Sequence, residues 1–252
     1  MILINFIILI KHRFYNYKIK KKGRRFQLKN SDDLKSEKYE EDYYIGSGSN
    51  YAKLPGGYLF LRREIFWKGK IDLIKKYVQS GKALDIGCSY GFMLYFMKKW
   101  FEIYGCDISK HAIEMCKKLL PDLNEKHFWV HDITKELPYP KNYFNVIICM
   151  DVIEHINNIE APLRNIHKCL AENGIFLLRI PIRTQYKITE FLRFENDPTH
   201  VSILPERVLI SKLKKIGFII LEKNYYWMGF IPLPKFINFG SDIMMILKKY
   251  KK

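Results

Sequence analysis

The sequence predicts an α/β protein, a doubly wound and mostly parallel sheet of seven strands with an N-terminal extension. Three observations carry this. Short apolar runs alternate with amphipathic helical stretches over most of the chain, the pattern that gives a parallel sheet with helices on its faces. The run Ala83–Ile86 passes through a turn containing Gly87 and Gly91 into an apolar helix. The run from Tyr143 to Met150 is apolar apart from Asn145, as a central strand covered on both faces must be.

Each element follows from local chemistry. Gly87 and Gly91 remove Cβ atoms where the turn after the first strand is tight and a ligand must approach the main chain. The helix that follows offers unbonded N–H groups at its start. Phe101–Asp107 reads as the second strand. Ser109 is the N-cap of the next helix, whose apolar stripe is Ala112, Ile113, Cys116, Leu119 and Leu120, with Pro121 as its stop. Phe128–Ile133 is a third strand running into a loop, and Tyr143–Met150 is the fourth. Pro162 suits the first turn of a helix carrying Leu163, Ile166 and Leu170, which Gly174 is expected to end. Ile175–Ile180 is the fifth strand. Pro205 opens a helix with Val208, Leu209, Leu213 and Ile216 inward and Gly217 as its close. Phe218–Leu221 and Asp242–Leu247 are the last two strands.

The glycine spacing selects the ligand. A dinucleotide fingerprint requires G-x-G-x-x-G, and from Gly87 the second and last positions are Ser89 and Phe92. The run instead reads D-x-G-x-S-x-G, with Asp85, Gly87, Ser89 and Gly91. In this run the chain resembles the class I S-adenosylmethionine-dependent methyltransferases, with Ser89 in place of the usual middle glycine. The resemblance spans roughly residues 71–247 and implies a Rossmann-like methyltransferase fold with S-adenosylmethionine as cofactor. Asp107 closes the second strand 20 positions after Gly87, where an acid can accept hydrogen bonds from both ribose hydroxyls. The resemblance further implies that Asp132 meets the adenine amino group and that Ile133 covers the ring. It adds Cys88, Ile108 and Met150 to the cofactor contacts. The Cys88 thiol is expected to pack rather than react.

The segment Asp151-Val152-Ile153-Glu154-His155-Ile156 follows the fourth strand, at the sheet edge where α/β proteins bind ligands. Its form resembles the small-molecule and quinone O-methyltransferase subgroup. If helical, it would place Asp151, Glu154 and His155 on one face. Two carboxylates and an imidazole suit a divalent metal such as Mg²⁺ or Mn²⁺, but the favoured reading is that Glu154 and His155 line the substrate side. His155 is one candidate base. His200, in the stretch Asp197–Val201 that resembles the family's loop before its last major helix, is the other.

The 252 residues suit one α/β domain with extensions, and a hydrophobic content of 48% supplies its core. The expected division is 1–30 as an apolar stub with a basic run, 31–65 as a linker or lid, and 66–252 as the methyltransferase domain. Five cysteines at no metal-ligand spacing favour reduced thiols in the cytoplasm. The net charge is +17, and the run from Lys11 to Arg25 holds eight Lys or Arg and no acid. The apolar stretch Ile2–Ile10 is far short of the ~18 residues a membrane span needs, but with the basic run behind it residues 1–25 suit an anionic membrane surface. The aromatic stretch Tyr225–Pro234 suits a pocket for an apolar acceptor or a cover for the core.

Together these point to methyl transfer to a small-molecule, lipid or glycan-type acceptor, at oxygen. An Asn/Asp-Pro-Pro-aromatic motif is missing after the fourth strand, where Met150-Asp151-Val152 stands. This argues against a nucleobase acceptor. Two rival readings are an RNA methyltransferase with a basic phosphate-contacting arm and a non-catalytic membrane-surface or scaffold protein that keeps the fold.

Overall fold

The computed structural model describes residues 38–46, 51, 56–123, 126–183, 199–227, 231–234 and 240–250, all within the compact unit Lys35–Lys252. The apolar stub and basic run of residues 1–30, Asp197, Pro198 and residues 228–230 lie outside the described residues.

Eight strands form one sheet: β1 (Gly81–Ile86), β2 (Phe101–Asp107), β3 (Phe128–Val130), β4 (Phe144–Met150), β5 (Leu170–Pro181), β6 (Phe218–Trp227), β7 (Ile231–Pro232) and β8 (Asp242–Lys249). Their order across the sheet is β3-β2-β1-β4-β5-β8-β6-β7. The seven expected strands are all there, and the two-residue β7 is added at one edge. Strands β3, β2, β1, β4 and β5 are parallel, and β8 is antiparallel to both of its neighbours, so β6 beyond it runs the same way as the first five. The order reverses between β1 and β4, so the crevice outside their carboxyl ends is the topological switch point where such sheets bind ligands.

The described α-helices are α1 (Glu41–Ile45), α2 (Lys68–Lys75), α3 (Phe92–Met97), α4 (Lys110–Leu119), α5 (Glu160–Cys169) and α6 (Glu206–Ile216). Side chains alternate across each strand, and this divides the core in two. Leu84, Ile86, Ile147, Cys149, Phe176 and Leu178 face α5 and α6 through Leu163, Ile166, Leu209 and Leu213. Ala83, Ile103, Val146, Ile148, Ile175 and Leu177 face α2, α3 and α4 through Ile74, Leu94, Met97 and Ile113. A third, smaller cluster joins Tyr44 and Tyr58, from before β1, to Tyr90, Phe92 and Ala112.

Two expectations are corrected around α5. Leu170 belongs to β5, not to the helix, and Gly174 lies inside that strand rather than ending α5. The pairing of β4 with β5 shifts register between Phe144 and Val146. Gly174 sits at this irregularity, where a Cβ would stand 2.8 Å from the carbonyl oxygen of Asn145. Ser109 caps α4 as expected, its Oγ accepting from the Ala112 N–H at 3.0 Å.

Candidate functional site

The loop from β1 to α3 is built of left-handed residues: Gly87 (φ +72°), Ser89 (φ +49°) and Gly91 (φ +76°). Gly87 is required by packing as well as by backbone angle, since a Cβ there would stand 2.2 Å from Val152 Cγ2. This close approach brings the carboxyl ends of β1 and β4 together. The loop is hung on β2, with the Gly87 and Cys88 N–H groups donating to the Cys106 carbonyl at 2.7 and 3.1 Å.

Asp107, at the end of β2, faces this loop. Its Oδ2 accepts from the Ser89 N–H and its Oδ1 from the Ser109 N–H, both at 2.9 Å. Burial raises its carboxyl to about 6, against the backbone bonds that lower it. Asp85 is buried in β1, and burial followed by the charge of Asp107 pushes it to about 8. Two buried acids beside one loop therefore resist ionisation together, and a cation brought between them would relieve both. A carboxylate has about four lone-pair sites, and the backbone amides of Ser89, Ser109 and Ile108 do not fill them, so capacity for a ribose hydroxyl remains. The acids and the glycine loop thus fit a cofactor that carries a ribose and a positive charge.

Cys88 is buried, and its hydrogen bond with Cys116, followed by burial, holds its thiol well above the usual range. Asp132 lies in the loop after β3 and accepts from the Thr134 N–H and hydroxyl at 2.9 and 2.7 Å. Ile133 is buried in the core face that holds α5, and Met150 is partly buried against the opposite face. Ile108 is half-buried between Asp107 and Ser109.

Beyond β4 the chain makes only a single 3-10 turn, Ile153–His155. Asp151 precedes it in a left-handed conformation (φ +56°) and pairs with Arg179, which also reaches Asp242 at 3.4 Å. The expected helical face of Asp151, Glu154 and His155 is therefore not formed. Glu154 and His155 instead meet His200. One ligand atom from each of the three lies within 4.8 Å of the others. Glu154 is fully buried, with His200 Nε2 3.9 Å from its Oε1. The two imidazole rings stand 4.7 Å apart, edge to face. His155 Nδ1 is held by Thr199, 2.9 Å from Oγ1 and 3.3 Å from the carbonyl oxygen. The structure thus brings together the two histidines singled out from the sequence, and Asp151 is not among the three residues whose ligand atoms meet.

Sequence reasoning missed three neighbours. Tyr58 and Tyr44 lie against the glycine loop, the Tyr58 hydroxyl donating to Ser89 Oγ. Lys70 on α2 is pushed down to about 8, first by burial and then by Arg179. None is marked by a motif. A cavity of about 400 Å³ lies elsewhere, lined by Lys141, Arg164, His167 and Lys249 among others, at the amino ends of β4 and β5. Among the described residues no helix is long and apolar enough to cross a membrane.

Comparison with known proteins gives a consistent picture. Residues 55–223 match the sequence model of a methyltransferase domain family. A ubiquinone biosynthesis O-methyltransferase from Pelagibacter ubique is 29% identical over 120 residues, 47% of this chain and 50% of that protein. Phosphoethanolamine N-methyltransferase 3 from Arabidopsis thaliana is 34% identical over 119 residues, 44% of this chain and 24% of that protein. The chain spans half or less of the length of these curated relatives. Among solved structures, an S-adenosylmethionine-dependent methyltransferase from Clostridium acetobutylicum shares the fold at a TM-score of 0.56 and 17% identity, over 83% of this chain and 96% of that one. A TehB-like methyltransferase from Corynebacterium glutamicum does so at 0.54 and 16%, over 72% and 87%.

Proposed function

Because the chain belongs to the methyltransferase domain family, we propose that it transfers the methyl group of S-adenosylmethionine to an oxygen of a small or lipid-like acceptor. The observation that carries this reading is the pairing of two sites across the switch point. A glycine loop with buried Asp85 and Asp107 ends β1 and β2, and the cluster Glu154, His155 and His200 lies beyond β4.

Bound at the loop, the cofactor supplies a methyl group on a positively charged sulfur that is already a good leaving centre. The protein's tasks are then alignment, exclusion of water and proton removal. Asp107 accepts the ribose hydroxyls, and Gly87, Ser89 and Gly91 let the main chain approach. Asp132 and Ile133 are assigned to the adenine end. An acceptor hydroxyl needs a base, and His155 and His200 are the candidates. Thr199 fixes the ring of His155. Buried Glu154 beside His200 stabilises the imidazolium that forms when the proton arrives. A divalent ion held by Glu154, His155 and His200 would serve the same end by lowering the pKa of the hydroxyl.

The test is mass-spectrometric detection of methyl transfer from labelled S-adenosylmethionine to a panel of catechols, hydroxy-lipids and primary amines. Methylated catechols or hydroxy-lipids support the oxygen reading. Methylation confined to amines would move the acceptor atom to nitrogen, and no turnover by protein that binds the cofactor would point to a scaffold.

A further inference from the structure

We propose that the cavity at the amino ends of β4 and β5 binds the phosphate group of a small phosphate ester. The inference is independent of the cofactor reading, because β4 runs from the cavity toward the switch point. Its seven residues put ~20 Å between the two, at about 3.3 Å per residue. Four elements meet at the cavity. The last two turns of α5 contribute Arg164, His167 and Lys168, at i, i+3 and i+4 on one face. The turn before β4 supplies Lys141 and Asn142, and the last residue of β8 supplies Lys249. Ile216, at the end of α6, gives an apolar wall.

The lining is short of negative charge. Glu172 is its single acid. Outside the lining, Glu136 pairs with Lys168, and Glu160 is shared between Arg164 at 3.7 Å and Lys212 at 2.7 Å. Counting Lys212, five cations face three acids. The high charge of the chain accounts for exposed lysines, but not for Lys249. Its side chain is only 8% exposed, while its partner Glu172 is 54% exposed and 3.6 Å away. Lys249 Nζ also donates to Asn142 Oδ1, and Asn142 is in a left-handed conformation (φ +60°). Burial holds the Lys249 ammonium below its ordinary value, against the pull of Glu172. Burial and then the charge of Lys249 hold down the imidazolium of His167. The buried Nε2 of His167 makes no hydrogen bond of good geometry, although the Gly217 backbone is close enough to favour its protonation. An anion placed among these groups relieves both.

A helix C-terminus attracts cations by its own dipole, but the end of α5 is already served. The N–H groups of Leu170, Asn142 and Tyr143 donate to the carbonyls of Ile166, Lys168 and Cys169. The size of the cavity sets the ligand class. About 400 Å³ lies within the range of roughly 300–1,000 Å³ usual for small-molecule sites, more room than a bare phosphate fills. Ile216 offers the organic part of an ester a surface to pack on.

The test follows backbone amide shifts of the full chain by NMR during titration with ribose 5-phosphate, with ribose as the uncharged control. Ribose 5-phosphate should give saturable shifts at residues 141–142, 167–168 and 217, and ribose none. Lys249→Met and Arg164→Gln should each raise Kd about tenfold, the effect of one charge-assisted hydrogen bond. Lys68→Gln should leave it unchanged. Lys68 is the matched control, since its side chain is 66% exposed and that of Arg164 58%. Thermal unfolding checks that each variant is folded, and Arg164→Gln carries the test if Lys249→Met is not. Sedimentation with phosphatidylcholine vesicles containing phosphatidic acid distinguishes the source of the phosphate. Vesicle binding that Arg164→Gln abolishes, without shifts from ribose 5-phosphate, would keep the phosphate site and make its ligand a lipid headgroup. Equal weakening by Lys68→Gln and Arg164→Gln would overturn the site in favour of general charge attraction. Neither saturable shifts nor vesicle binding would overturn it outright.

Discussion

The imidazole rings of His155 and His200 meet edge to face, their centroids 4.7 Å apart, beside the buried carboxylate of Glu154. One carboxylate can stabilise one imidazolium well, but two adjacent positive rings would repel each other. The pair is therefore expected to act as one unit in removing the acceptor's proton. His155→Ala and His200→Ala should each lower kcat for a hydroxyl acceptor by roughly 10²- to 10⁴-fold. The double variant should lose little more than the worse single one. Calorimetric titration should give the same affinity for S-adenosylhomocysteine throughout. Multiplicative losses in the double variant would show that the two rings act independently.

Glycine substitutions separate packing from backbone strain. At Gly87 an added Cβ would meet Val152 Cγ2 at 2.2 Å with φ at +72°, while at Gly57 it would meet nothing within 4 Å with φ at +65°. Both Ala variants pay for a left-handed residue, roughly 1 kcal/mol. Gly87→Ala must also separate the loop from the β4 edge, for a total of about 2–4 kcal/mol. Denaturant unfolding should place Gly87→Ala well below Gly57→Ala, and only the former should lose cofactor binding.

Asp85 gives a prediction about pH. Its folded value is raised from 3.8 to about 8, mainly by burial. Between these values the folded state holds a proton that the unfolded chain releases, so stability falls as pH rises from about 4 to 8. Asp85→Asn keeps the volume and removes the titration. In the cofactor-free protein its thermal midpoint should exceed that of the wild type at pH 8, and the difference should vanish or reverse at pH 4. A difference that stayed constant between these two pH values would mean that Asp85 does not titrate there.

Much of this architecture can be read from sequence because burial on both faces leaves a local signature. Phe144–Met150 shows as a strand for that reason, and Asn145 departs from apolarity because its Oδ1 accepts from the Lys82 N–H and ties β4 to β1. The passage from α5 to β5 is different. Leu170 continues the helical apolar spacing yet lies in the strand, and no turn residue separates the two. Periodicity cannot detect a switch made within one residue. The cluster beyond β4 shows a second limit. Glu154 and His155 are adjacent in sequence, but their third partner, His200, arrives from a distant loop, and Asp151 leaves the expected face because one left-handed residue redirects it to Arg179. A helical spacing rule applies only where a helix forms, and a single 3-10 turn with three residues per turn does not supply one. The contact of Tyr58 with Ser89 was hidden for the same reason, being a tertiary relation between segments with no shared motif.

Asp107 supports the sharpest test of the cofactor site. It faces the glycine loop, accepts one amide on each oxygen, and titrates near 6. At pH 7.5 it is therefore largely ionised, and the ribose hydroxyls would donate to a charged acceptor. Bonds of that kind are worth roughly 1.5 kcal/mol or more each, so Asp107→Ala should weaken S-adenosylhomocysteine binding by about 2–3 kcal/mol, or roughly 30- to 150-fold in Kd. At pH 5 most of the wild type is protonated and has lost that advantage. The gap between wild type and variant should then shrink several-fold. Calorimetric titration at the two pH values measures this directly. A gap of equal size at both would show that the carboxylate charge plays no part in holding the ligand, and an affinity unchanged at pH 7.5 would move the ribose away from Asp107 altogether.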